Sequence, residues 1–159
     1  MREVLKIIEQ DARTSPEQIA SMTGKTPQEV QDIIRKAEAD RVLLGYHAQV
    51  NWERAGVEQV WALIDVKVTP QRDVGFDAIA ERIYRFPEAR SVYLVSGTYD
   101  LAVTVVGRTM QEVSAFVSEK LAPMESVQAT VTHFLLKRYK DQGIIMEGGD
   151  RPQRLQVSP

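Results

Sequence analysis

At 159 residues the chain can form one domain or two small ones. With 43% hydrophobic and 26% charged residues it has the mix of a globular protein that buries a core. Its lack of cysteine and its two histidines, His47 and His133, set aside disulfides, thiolate chemistry and cysteine-based zinc sites, so no metal or cofactor is expected, while a net charge of −2 gives no global pull toward nucleic acid or anionic lipid.

The opening MREVLKIIEQD carries charges inside its first apolar stretch. No later run approaches the roughly 18 apolar residues of a membrane span, so a cytoplasmic protein without a membrane partner is expected. Val4, Leu5, Ile8 and Ala12 recur at helical spacing and predict a first helix ending near Arg13. In Ser15-Pro16-Glu17-Gln18 the serine suits an N-cap, proline suits the first turn, and Gln18 can reach back to the cap. Ile19, Ala20 and Met22 are its expected buried side, and Gly24 its stop. Thr26-Pro27-Gln28-Glu29 repeats the device and opens a third helix with the inner stripe Val30, Ile33, Ile34 and Ala37.

Two short capped helices around a glycine turn, supported by a third, form a helix-turn-helix pattern, and VLLGYHAQVN supplies a strand for a winged variant. A helical hairpin used only for packing has the same pattern. Opposite the buried stripe of the third helix lie Gln28, Asp32 and Arg35, flanked by Gln31 and Lys36. These side chains suit base edges, since Gln binds adenine, Arg binds guanine, and Asp accepts from cytosine. Against that, residues 1 to 50 hold seven basic and eight acidic residues. Phosphate neutralisation dominates affinity, so one copy should bind weakly and several copies together tightly.

After a linker at 51–58 the period changes. Val60, Ala62, Ile64, Val66 and Val68 mark one face of a strand, and a helix carrying Phe76, Ile79, Ala80 and Ile83 follows, closed by Phe86-Pro87. SVYLVS and LAVTVVG read as two strands, and Met110 to Leu121 as a helix with Val113, Phe116 and Val117 inside, ending before Pro123. A last strand runs from Val127 to about Arg138. Strand-helix-strand twice over is the split βαβ, ferredoxin-like βαββαβ pattern, which makes the chain α+β. Both helices of such a unit cover one face. Yet Val92 and Leu94 alternate with Tyr93 and Val95, Leu101, Val103 and Val105 with Ala102 and Val106, and Phe134 and Leu136 with Val131 and Leu135. At about 25 cal/mol per Å² of apolar surface, a wet second face forfeits several kcal/mol, so a second copy is expected to cover it as a homodimer.

Between the middle strands stands VSGTYDL. Gly97-Thr98-Tyr99 can be simply a hairpin turn, in which Gly97 supplies a positive φ. It can also form half of a site, with Gly97 admitting a ligand to backbone N–H groups and the Asp100 carboxylate accepting from an amine, as a zwitterionic amino acid requires.

Residues 1 to 140 resemble the Lrp/AsnC family of leucine-responsive and asparagine-related regulators. The likeness is carried by ARTSPEQIASMTGKTPQEVQDIIRKAEADRVLLGYHAQVN, by SGTYDL, similar to the family's Gly-x-Tyr-Asp hairpin, and by ATVTHFLLKRYK, similar to its Thr-x-Thr final strand. The resemblance implies a winged helix-turn-helix domain (1–50), the linker, and a ferredoxin-like effector-binding and oligomerising domain (59–140). It implies dimers, and tetramers or octamers built from them, that bind double-stranded DNA and take an amino acid or related metabolite between dimers. It places the effector at Gly97, Thr98, Tyr99, Asp100, Thr130 and Thr132, and DNA at Gln28, Gln31, Asp32, Arg35 and Lys36.

Two features depart from the family pattern: the reading helix is more acidic, and residues 141–159 extend the chain. Their glycine, proline and polar content predicts a mostly disordered tail in which Ile144, Ile145 and Met146 can dock locally. The charge balance of residues 1 to 50 also fits an effector-sensing binding module with weak DNA affinity. A third alternative, a decarboxylase of haem biosynthesis, follows from proteins resembling this family, but no catalytic signature accompanies His47 and His133.

Overall fold

A computed structural model gives the structure of residues 1–69 and 75–146. The chain divides into two compact units, Met1–Val50 and Asn51–Pro159.

Unit 1 holds α1 (Arg2–Gln10), α2 (Pro16–Thr23) and α3 (Pro27–Ala39) around buried Val4, Ile8, Ile19, Ala20 and Val30. Helix α1 ends earlier than its periodicity predicts, because the Asp11 carboxylate accepts the Arg13 N–H at 2.9 Å and diverts the backbone into a turn. Capping boxes open both later helices: Ser15 and Gln18 exchange bonds at α2, and Thr26 and Glu29 at α3. Gly24 takes φ +66°, and the Gly24 and Lys25 N–H groups both return to the Ala20 carbonyl, so the chain leaves α2 in a left-handed turn. Val30 and Ala37 are buried and Ile33 and Ile34 pack beside them, as the stripe predicts. Met22, expected inside, is 66% exposed. At 100° per residue it lies about 110° from the centre of the arc between Ile19 and Ala20, too far round to reach the core.

The expected wing strand is absent. Residues 44–50 hold no ladder, and Val42, Leu44, Tyr46 and Val50 are exposed. A strand exists only against a hydrogen-bonding neighbour, and among the described residues none pairs with this segment.

Unit 2 contains β1 (Val60–Val68), α4 (Gly75–Tyr84), β2 (Ala89–Leu94), β3 (Leu101–Gly107), α5 (Met110–Phe116) and β4 (Val127–Phe134). Among the described residues the strands form a sheet in the order β2-β3-β1-β4, antiparallel at each pairing, which is the ferredoxin-like arrangement. Ala62, Ile64, Val66, Leu101, Val103 and Val105 form the buried face, covered by Ile79 and Ile83 of α4 and by Val113 and Phe116 of α5. Helix α5 continues as a π-helical turn, Val117–Leu121, with the Ala122 N–H bonded to the Val117 carbonyl at 2.8 Å. In an unbroken α-helix Leu121 would sit about 140° round from Phe116. The wider turn brings it back to the sheet, where it is fully buried.

Strand β4 stops short of the Arg138 limit expected for it. The Leu135 N–H makes one more bond, to the Trp61 carbonyl, and β1 then offers no further partner because it begins at Val60. The expected tail also differs from the structure. Lys140–Asp141 (β5) and Ile144–Ile145 (β6) pair as a small hairpin, and the Met146 N–H bonds the Tyr139 carbonyl at 2.9 Å. Gly143 at φ +87° makes this turn possible. The rest of the predicted tail, 147–159, lies outside the described residues.

Candidate DNA-reading helix and effector hairpin

On α3 the residues that bury and the residues that read are separated by the helical period alone. Gln28, Gln31, Asp32, Arg35 and Lys36 are all exposed, opposite Val30 and Ala37. Three of them already touch: Asp32 Oδ1 accepts Gln28 Nε2 at 3.2 Å and also the Arg35 guanidinium. The spacing i−4 and i+3 around Asp32 brings these long donors within reach of its carboxylate. Below them, the Thr26 N–H and hydroxyl hold the Glu29 carboxyl under the ordinary glutamate range, so the start of α3 is rigidly closed. Among the described residues a shallow, wide-mouthed surface depression of about 690 Å³ also lies in unit 1, lined by Asp11, Arg13, Thr14, Gln18, Ser21 and Met22, and it contains none of the reading residues.

In unit 2 the loop between β2 and β3 is closed by the Val95 N–H on the Asp100 carbonyl at 2.9 Å, with Ser96 to Tyr99 outside the ladder. Gly97 adopts φ +151° with open space where a side chain would stand, so its N–H and carbonyl are approachable. Gly97 and Thr98 are exposed and Tyr99 is half-buried.

Asp100 is placed differently from the sequence expectation. Its carboxylate was expected to accept an amine from outside, but it is already committed within the fold: Oδ2 accepts the Val68 N–H at 3.0 Å, and Lys67 Nζ lies 3.2 Å from Oδ1 and 3.1 Å from Oδ2. The Val68 N–H, and after it Lys67, hold this carboxyl below the usual aspartate range. The Asp100 N–H in turn bonds the Val66 carbonyl at 3.1 Å. Asp100 therefore latches the hairpin onto the end of β1. Lys67, which completes the latch, was missed, since an odd-numbered lysine on β1 looks in sequence like any solvent-facing charge.

Thr130 and Thr132 pair across β4 with Val66 and Ile64, so they lie on the helix-covered side at the sheet edge. Val66 also pairs with Leu101, which places Thr130 and the base of the hairpin two strands apart at the same end of β1, about 10 Å. Thr132 lies one rung further along, opposite Ile64, which pairs with Val103.

Among the described residues no helix of this unit lies over the other face of the sheet. That face carries Trp61, Leu63, Val106, Tyr93 and Val131, with an Asp65–His133 contact of 3.0 Å among them. One end is closed by the guanidinium of Arg138, 4.2 Å from the Trp61 ring centre and held by Asp141 at 3.0 Å. His133 is thus paired within the sheet, and His47 belongs to the other unit. Among the described residues no cluster of three His, Cys, Asp or Glu side chains is placed to hold a metal ion, and no helix is long and apolar enough to cross a membrane.

Residues 61–145 match the model of the Lrp/AsnC ligand binding domain, and residues 1–43 that of a winged helix-turn-helix DNA-binding domain. The chain belongs to the Lrp/AsnC family. It is 50% identical over 158 residues to the HTH-type transcriptional regulator YugG of Bacillus subtilis (strain 168), covering 99% of this chain and 95% of that protein. The same fold occurs in E. coli AsnC, with a TM-score of 0.71 at 19% identity over 90% of this chain and 94% of that one. It occurs again in a transcriptional regulator from Neisseria meningitidis solved as a complex with L-Met, with a TM-score of 0.72 at 20% identity over 87% and 89% of the two chains.

This Lrp/AsnC chain is accordingly a DNA-binding transcriptional regulator with an effector-binding domain. The ligand binding domain model extends to residue 145, so it takes in the β5–β6 hairpin that the sequence assigned to a tail.

Proposed function

We propose that this Lrp/AsnC regulator is a cytoplasmic, non-enzymatic homodimer, extended to tetramers or octamers, that binds double-stranded DNA through Gln28, Gln31, Asp32, Arg35 and Lys36 and responds to an amino acid. The effector is held by the backbone and side chains of Gly97, Thr98 and Tyr99 together with Thr130 and Thr132, while Asp100 shapes that hairpin from behind. The observation that carries the effector half is the open, glycine-centred loop Ser96 to Tyr99, latched at its base by Lys67 and Asp100. The Neisseria protein solved with L-Met supports an amino acid as the ligand class.

A thermal-shift screen over the amino acids tests this, because a ligand that binds only the folded protein raises Tm by mass action. At one hundred times its Kd an effector contributes about 2.7 kcal/mol, and Gly97→Val, which fills the approach with a branched side chain, removes the response. No shift with any amino acid at saturating concentration counts against the assignment. A second reading, a sensing module with weak DNA affinity, is favoured by the seven basic against eight acidic residues of unit 1. Gel-shift titration of the gene's own upstream region at two salt concentrations separates the two, since only the regulator retains duplex at micromolar protein and low salt.

A further inference from the structure

We infer that Asp32 is the specificity-determining residue of α3, holding Gln28 and Arg35 away from DNA unless a base amino group takes their place on its carboxylate. This rests on the DNA-binding role proposed for α3 above.

One oxygen, Asp32 Oδ1, accepts from Gln28 and Arg35 together. These are two of the long donors of the exposed face, beside Gln31 and Lys36, and they suit adenine and guanine edges. While they remain on Asp32, the charge of Arg35 is neutralised and the amide of Gln28 is turned along the helix. All three side chains are exposed, so the cluster is screened by water and opens readily.

Against duplex DNA the carboxylate stands in the negative field of the phosphates and is repelled. Only a base offering an N–H donor offsets that repulsion: the cytosine N4 amino group, or the adenine N6 amino group, in the major groove. Where such a donor meets Asp32, the carboxylate changes partners and releases Arg35 to a neighbouring guanine. Where it does not, Arg35 reaches a guanine only by leaving the Asp32 carboxylate unpaired beside the phosphates, and the repulsion persists. An acidic residue in the middle of a reading face therefore lowers affinity for most sequences more than for the matching one. Unit 1 carries no excess of basic residues that would mask this effect with non-specific binding.

The test is selection from a random duplex pool by the full-length wild type, by Asp32→Asn and by Asp32→Glu, with affinities for the selected and unselected pools measured across a salt series. Wild type should enrich a motif with a cytosine or adenine amino group beside a guanine. Asp32→Asn, which keeps the shape and removes the charge, should bind the unselected pool about tenfold more tightly and lose about tenfold in discrimination. Asp32→Glu, which restores the charge, should recover most of the discrimination. A wild-type selection that enriches no motif, or an Asp32→Asn selection that enriches the same motif as strongly, overturns the assignment while leaving the regulator intact. A wild type that retains no duplex at all removes the DNA-binding role and this assignment together.

Discussion

Asp100 shows how one residue's role depends on what the fold brings to it. In sequence it stands beside Gly97, Thr98 and Tyr99 and looks like the anionic half of an amino-acid site. In the structure its carboxylate accepts from Val68 and Lys67, which lie 32 and 33 positions away. Asp100→Ala should therefore not leave the fold untouched. It strands the Val68 N–H and the Lys67 ammonium, and the transition of unit 2 should fall to a lower temperature than in wild type. Trp52 and Trp61 both lie in unit 2, so their fluorescence reports this transition. The pH dependence follows from the depressed carboxyl. Its contribution is fully present above the ordinary aspartate range and is lost as pH falls below that range through the folded value. The acid limb of the stability profile should thus be shallower in Asp100→Asn than in wild type. An identical acid limb in the two proteins would show that the latch contributes nothing.

Elements of this chain were legible in the sequence wherever short-range chemistry decides them. Ser15-Pro16 and Thr26-Pro27 start α2 and α3, and Gly24 ends α2, because capping donors, a fixed φ and a left-handed turn need only a few consecutive residues. Thr26→Ala, which removes the side-chain acceptor for the Glu29 N–H, should cost about 1 kcal/mol. Gly24→Ala forces a Cβ into the left-handed region at about 1–2 kcal/mol. Urea titrations of the full chain check both, with ellipticity at 222 nm weighted toward the helices of unit 1 and tryptophan emission reporting unit 2. The helical signal should melt earlier in both variants while the tryptophan transition stays where it is in wild type. A coincident move of both signals would mean that the two units unfold together. The segment 44–50 could not be read this way. Its residues have strand propensity, but a strand is completed by a neighbour, and nothing in VLLGYHAQVN names one.

At the scale of the whole molecule, the sheet of unit 2 has one face packed by α4 and α5 and another that presents Trp61, Leu63, Tyr93, Val106 and Val131, with no helix over it among the described residues. We propose a second copy as its cover. Tyr93 is 58% exposed and Val131 36%, so replacing both with lysine places two charges on the interface without opening the core. Wild type should sediment as a dimer or a larger assembly at micromolar concentration. Tyr93→Lys/Val131→Lys should sediment as a single protomer, with its helical ellipticity unchanged and its DNA affinity reduced by the lost effective concentration, 10²-fold or more on the usual order of magnitude. A wild type that sediments as a well-folded single chain would remove the second copy as the cover.

By itself the sequence determined the helix boundaries marked by caps and glycine, the inward stripes of α3 and β1, the βαββαβ order and the family likeness. Each of these is written in residues a few positions apart, within the period of one helix or one strand. Only the tertiary structure decided that Asp100 is a latch answered by Lys67, that His133 belongs to Asp65, that Arg138 covers Trp61, and that the chain past Lys140 turns back as a hairpin. Those partners are remote in sequence or set by where a neighbouring strand runs out, and no local pattern encodes which side chain a folded sheet will bring alongside another.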